Sequence, residues 1–253
     1  GHQVDHQWHY LDDLEHATDA NGVCQKITLR PPLDRKRIAV CHLATGKYNQ
    51  FVTAIQNDCY LKFLKMHHME FFLFTDQAGN YPDRTEEGAV LHTYAVDSRG
   101  YPQDNLYRFH YLLQADEALR TFDHVFYMDV DYRLYQHPAE KQLLVTGIVA
   151  TAHLHNIVEK RDGSQRHIGV PETRPDSLAS LRPNETMSVY YASSFHGGSS
   201  AAYMDLCRTL RDHSDTDLSR GITAQWLDES YLNRFLLDHP PANVLSQSYI
   251  FSE

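Results

Sequence analysis

From Arg37 onward the chain alternates short apolar runs with stretches of helical spacing, and this alternation does most to limit its fold. RIAVCHLATG is a β-like run closed by Gly46. YNQFVTAIQNDCYLKFLKM has helical spacing at Phe51, Ile55, Leu61 and Leu64. MEFFLFTDQ and AVLHTYAVD read as second and third strands, DNLYRFHYLLQADEALRTF as a helix, and HVFYMDVD as a further strand. Strands separated by helices predict a largely parallel, Rossmann-like sheet covered on both faces, an α/β fold. The chain divides into an N-terminal arm, residues 1–36, and one domain, residues 37–253. The arm is expected to be polar and irregular as far as PPLD, with Gly1-His2 read as a tag remnant. At 253 residues and 42% hydrophobic content, the chain can bury one sizeable core.

Charge narrows the function. Acidic residues outnumber basic ones 33 to 23, which excludes a broad nucleic-acid surface. A small anionic ligand would need local help from a metal, a few basic side chains or backbone amides. No apolar run approaches the roughly eighteen residues of a membrane span, and the start has no signal-peptide pattern, so a soluble chain with no span is expected. Cys24, Cys41, Cys59 and Cys207 lack metal-type spacing, and Cys41 sits in a strand-like run; all four are expected to be buried free thiols.

In a parallel α/β sheet, ligands bind at the carboxyl ends of the strands. HVFYMDVDYRLY reaches such an end and there carries Asp129 and Asp131, separated by Val130. Buried like charges raise one another's pKa and cost several kcal/mol unless a cation neutralises them. Mg²⁺ or Mn²⁺ commonly takes one or two carboxylates and completes its shell with water and substrate phosphates. An exposed acidic turn is the plain alternative, and spacing alone leaves both open.

LATGKY, FYMDVD, YYASSFHGGS and WLDESYLNRFLL follow one another in this order. Together they resemble family 6 of the glycosyltransferases, the retaining family that includes the ABO blood-group transferases and α1,3-galactosyltransferase. The resemblance runs from about Arg37 to Phe251. It implies a GT-A fold with a DXD motif at a strand end, a UDP-sugar donor, Mn²⁺ (or Mg²⁺) on Asp129 and Asp131, and transfer of galactose or N-acetylgalactosamine in α1,3 linkage to a glycan acceptor. A UDP-sugar hydrolase and a metal-dependent carbohydrate-binding protein are the alternatives; a lectin, however, needs no acid beneath an anomeric carbon.

The resemblance also assigns residues. Tyr48 matches the aromatic that packs on uracil, Leu43 and Thr45 match positions lining the uridine pocket, and Val130 falls within the donor-binding motif. Arg108 resembles the family arginine near the donor sugar and the aspartates; a surface ion pair is the plain reading. Ala192, Ser193 and Ser194 occupy the triplet that selects the donor sugar. Serine at 194 is larger than the glycine or alanine of relatives, which leans the reading to galactose without deciding it. Asp228 matches an aspartate that hydrogen-bonds the donor sugar, and Glu229 the carboxylate beneath the anomeric carbon, a nucleophile or oxocarbenium stabiliser. Helix capping alone would also explain Asp228. Trp226 matches an acceptor-contacting tryptophan.

Departures from the family pattern are His196 for a phenylalanine before GG, Leu227 for a histidine, and VATAHLHNIVEKR in place of the acceptor-lining segment, where His153 or His155 stands in. The chain ends at LSQSYIFSE, near where relatives continue into a basic tail over UDP. This short end favours a cytoplasmic microbial or viral enzyme over a trimmed Golgi-lumenal domain.

Overall fold

The computed structural model describes residues 14–18, 24–29, 34–86, 89–134, 138–153, 158–159, 165–166 and 169–249. The arm is not irregular throughout, because β1 (Leu14–Thr18) and β2 (Cys24–Leu29) pair antiparallel. The domain then runs β3 (Arg37–Ala44), α1 (Val52–Lys62), β4 (His68–Thr75), β5 (Arg84–Glu86) and β6 (Ala89–Ala95). The segment read as one helix breaks into α2 (Gln103–Leu106), α3 (Arg108–Leu112) and α4 (Asp116–Leu119), with a 3₁₀ turn at Leu113–Ala115. The breaks fall at Tyr107, whose φ −89° and ψ 4° leave the α-helical range, and at the tighter turn of Leu113–Ala115. β7 (His124–Met128), α5 (Glu140–Leu143), β8 (Ile148–Ala152), the short pair β9 (Val158–Glu159) and β10 (Gln165–Arg166), β11 (Tyr191–Ser199), α6 (Ser200–Ser219), α7 (Leu227–Asp238) and β12 (Asn243–Leu245) complete the order.

Eight strands form one sheet in the order β12-β8-β11-β7-β3-β4-β6-β5. β3 pairs parallel with β4 and β7, β4 with β6, and β8 with β12, whereas β11 runs antiparallel to both β7 and β8, and β5 to β6. The sheet is therefore mixed, with a parallel majority and an inserted reversed strand, an arrangement consistent with a GT-A-like glycosyltransferase fold. Alternation along β3 sends Ala39 and Cys41 into one apolar cluster and Ile38, Val40 and Ala44 into the other, so both sheet faces are covered. α1 covers the second face, while α3, α6 and α7 cover the first.

The glycine pair of β11 serves this packing. A Cβ on Gly197 would lie 2.4 Å from Phe126 Cδ1 and from the Val125 carbonyl oxygen, so here the small residues admit the neighbouring strand and not a ligand. Cys41, Cys59 and Cys207 are buried free thiols; the side chain of Cys24 lies outside the described residues, as do Gly1-His2 and the last four positions. Among the described residues no helix is long and apolar enough to cross a membrane.

Candidate active site

The carboxyl ends of β3, β6 and β7 open onto a cavity of about 340 Å³. Leu43, Thr45, Tyr48, Asp129, Val130 and Asp131 line it, six of the residues singled out in the sequence. Gly46, with φ +53°, makes the turn after β3. Its amide donates to Asp76 Oδ2 at 2.9 Å, and Asn49 is held by the other oxygen of Asp76 at 2.8 Å, so the turn bearing Tyr48 is pinned from below. Lys47, Ser98, Tyr101, Asp104 and Asn105 line the cavity too, and sequence reasoning missed them. Lys47 had a signal, since it adjoins Tyr48; Ser98 and Tyr101 sit in a Ser-Arg-Gly-Tyr-Pro stretch whose composition marks only a turn, and Asp104 and Asn105 open the helical run that follows it.

Beyond Asp129 the cavity gives way to a second cluster that it does not enclose. Here the antiparallel register of β11 on β7, Phe195 opposite Met128, brings Ser194 to Asp129, whose amide donates to the Ser194 carbonyl at 2.9 Å. Arg108 is 2% exposed and sits at the centre. Its Nη2 donates to Asp129 Oδ1 at 3.3 Å, its Nη1 lies 2.9 Å from Asp228 Oδ2, and it also donates to the Ser193 carbonyl. The guanidinium stacks on the Tyr127 ring at 4.3 Å, and the Tyr127 hydroxyl donates to Asp129 Oδ1 at 2.7 Å. The surface-ion-pair reading of Arg108 is thus excluded. Asp228 is not the cap residue of α7, a position that Trp226 occupies, although its carboxylate also meets the first-turn amides of Asp228 and Glu229. Leu227 adopts φ +50°, a left-handed conformation that costs a leucine about 1 kcal/mol or more, and this turn delivers Asp228 and Glu229 to the sheet.

Glu229 Oε2 accepts from the Ser193 amide at 3.0 Å. Burial drives its pKa up to about 7, with the neighbouring Asp228 adding to the rise; the Ser193 amide and the Tyr190 hydroxyl offset part of it. Burial also raises Asp129, against the pull of Arg108 and Tyr127, and raises Asp131, where the Asp129 charge adds to the effect. Ser193 joins the two acids of α7 to Arg108, and Ser194 is the partly exposed member of its triplet, with its hydroxyl beside the Tyr132 phenol. Ala192 is not brought to the cavity surface; its methyl is 2% exposed and packs in the cluster that holds Val130 and Phe195. Trp226 is 48% exposed beside this cluster in sequence. His153 packs edge-on against Tyr190, ring centroids 5.9 Å apart, and so reaches Glu229 through one residue. His155 lies outside the described residues.

A comparison with protein families decides the relationship. The family model of Glycosyltransferase family 6 matches residues 32–253. The chain belongs to this family. Among curated relatives it is similar to the histo-blood group ABO system transferase 1 of Rattus norvegicus, 28% identical over 87% of this chain and 62% of that protein. It is 25% identical to the globoside α-1,3-N-acetylgalactosaminyltransferase 1 of Gallus gallus, over 85% of this chain and 62% of the relative. It is 22% identical to the O-antigen biosynthesis glycosyltransferase WbnI of Escherichia coli, over 85% of this chain and 88% of that protein. The chain thus spans about three fifths of the two animal relatives.

His196 is a family 6 departure with a readable consequence. Its ring is fully buried, stacks on Tyr127 with centroids 5.4 Å apart, and, a weak contact with the Ser193 backbone aside, neither nitrogen makes an aligned hydrogen bond among the described residues. Burial, reinforced by the Arg108 charge, lowers its pKa to about 3, so the ring is neutral. His196→Phe keeps the shape and removes two polar atoms that make no aligned bond. A gain of about 1 kcal/mol, or roughly 2–4 °C in Tm, is expected by calorimetry; an unchanged or lower Tm counts against that assignment.

Proposed function

We propose that this family 6 chain is a metal-dependent retaining glycosyltransferase that moves galactose or N-acetylgalactosamine from a UDP-sugar to a glycan acceptor in α1,3 linkage. The observation that carries the reading is the pair of linked acid sites, Asp129 with Asp131 on the cavity and Asp228 with Glu229 at the start of α7, joined through Arg108 and Ser193.

The carboxylate pair suits a divalent ion. Asp129 and Asp131 are oxygen donors one residue apart, both are raised by burial, and both face the cavity. Among the described residues no group of three or more metal-binding side chains gathers there, which suits an ion that completes its shell with diphosphate and water. Bound there, Mn²⁺ or Mg²⁺ supplies positive charge against the diphosphate as the glycosidic bond breaks. Tyr48 offers its ring to uracil, and Leu43, Thr45 and Val130 line the nucleoside pocket. Arg108 offsets part of the rise that burial imposes on Asp129 and Asp228 and aligns both, Asp228 holds the sugar, and Glu229 faces the anomeric carbon. Trp226 and His153 lie on the acceptor side.

The test is UDP release from UDP-galactose and UDP-N-acetylgalactosamine over a glycan panel, with Mn²⁺ and with EDTA. Acceptor-dependent release that chelation abolishes supports the reading. Release that ignores every acceptor identifies a hydrolase, and sugar binding without release identifies a binding protein.

The donor sugar rests on volume at Ser194. Ser194→Gly keeps the backbone bond to Asp129 and removes the hydroxyl that meets Tyr132. The ratio of kcat/KM for UDP-N-acetylgalactosamine over UDP-galactose is expected to rise about tenfold or more, the range that pocket volume provides. An unchanged ratio places the sugar away from residue 194.

A further inference from the structure

One carboxylate at the cavity is not part of either acid site. Asp104, in the first turn of α2, is 4% exposed and has no ion-pair partner among the described residues; it is held by four neutral donors. Its Oδ2 accepts from the Thr45 hydroxyl at 2.8 Å and the Ser98 hydroxyl at 2.7 Å, and its Oδ1 from the Arg99 amide at 2.7 Å and the Tyr111 hydroxyl at 3.0 Å. Burial would push this carboxyl up, but the bonds from Ser98, Arg99, Thr45 and Tyr111 outweigh it and hold it below the usual value. Four bonds fill the lone-pair sites of an ionised carboxylate.

The Thr45 and Ser98 donors come from two separate chain segments that line the cavity. Thr45 ends β3 and leads into the turn that presents Tyr48; Ser98 and Arg99 begin the loop that carries Tyr101, which is 76% exposed. Arg99 is further seated over the Tyr107 ring at 3.9 Å. We propose that Asp104 is the positioning residue of the nucleoside half of the cavity, clamping the Thr45 wall to the Ser98–Tyr101 wall and turning both hydroxyls so that only their acceptor lone pairs face the ligand. Each hydroxyl spends its single proton on Asp104, and Ser98 Oγ also accepts from the Gly100 amide at 3.3 Å, so the lone pairs that remain accept from N–H or O–H groups of a ligand. A uracil N3–H or a ribose hydroxyl meets that requirement, and a base edge bearing only acceptors does not. The diphosphate end, at Asp129 and Asp131, lies outside the clamp.

The inference rests on the donor reading above, and the experiment separates the two. UDP and inorganic pyrophosphate are titrated calorimetrically, each with Mn²⁺, into the wild type, Asp104→Ala, and the double variant Thr45→Val with Ser98→Ala. The double variant leaves the carboxylate in place and serves if Asp104→Ala does not fold. UDP affinity is expected to fall about tenfold or more, the effect of unpairing groups in a site built for them, while pyrophosphate affinity stays within about twofold. Asp104→Asn, whose amide can still bridge the hydroxyls, is expected to recover part of the loss. Variants that bind UDP like the wild type, or that lose UDP and pyrophosphate equally, overturn the proposal alone. A wild type that binds no UDP overturns the donor reading and the proposal with it.

Discussion

Glu229→Gln is expected to lower kcat by about two to three orders of magnitude and, at pH 8, to make the protein more stable. Glutamine has the size of glutamate and keeps an acceptor for the Ser193 amide, so the fold has no reason to change. What is removed is the negative charge that would face a positive anomeric centre, an interaction that strengthens only in the transition state; KM for the donor should therefore move little.

The stability gain follows from the raised pKa. Unfolded, the carboxyl ionises near its ordinary value of 4.5; folded, it does so at about 7. Below the lower value both states hold the proton and nothing is lost. Between the two values the folded state holds a proton that the unfolded state has released, so stability falls as pH rises, and the loss is complete above the folded pKa. Gln at 229 escapes this penalty, on the order of 3 kcal/mol at pH 8 and near zero at pH 4. Melting curves at both pH values check it. For the wild type, kcat/KM should climb through an acid limb near pH 7, because only the ionised form can stabilise the centre. Near-normal turnover in Glu229→Gln would move the catalytic role to Asp228. Equal Tm differences at pH 4 and 8 would show that Glu229 is not strained by burial.

Arg108→Met is expected to abolish transfer and to cost about 3–5 kcal/mol of stability, the effect of deleting one partner from a buried charge cluster. Asp228, 3% exposed, has Arg108 as its one cationic contact among the described residues, and the Ser193 carbonyl would lose its donor as well. The two ions meet at 2.9 Å without hydrogen-bond alignment at Asp228 Oδ2, so the pair acts through charge more than through a directed bond. Arg108→Lys returns the charge without the planar fork that spans Asp129, Asp228 and Ser193, and should recover part of the stability but little activity. Thermal melts alongside UDP-release rates decide it; a loss under about 1 kcal/mol in Arg108→Met would mean the acids find another counter-charge.

What sequence determined was local. Apolar positions at strand and helix spacing marked β3, α1, β4, β6 and β7, because side-chain direction repeats every two or 3.6 residues and burial follows it. Gly46 marked a turn that needs positive φ, and Asp129 and Asp131 marked a strand end, for charges stop a buried run. The order of the motifs pointed to the family. The reversal of β11 had no such mark: buried on nearly every position from Tyr191 to Gly198, it shows no alternation, and its antiparallel place between β7 and β8 comes from pairing across more than forty residues. Only that pairing brings Ser193 and Ser194 against Asp129. Arg108 reads in sequence as any helical arginine. Its partner Ser193 is 85 residues away, and the charge balance among Arg108, Asp129 and Asp228 exists only once folding has removed water from all three. The rise of Glu229 to about 7 and the four bonds onto Asp104 have the same origin: desolvation and long-range contact set them, and neither leaves a pattern in the order of residues.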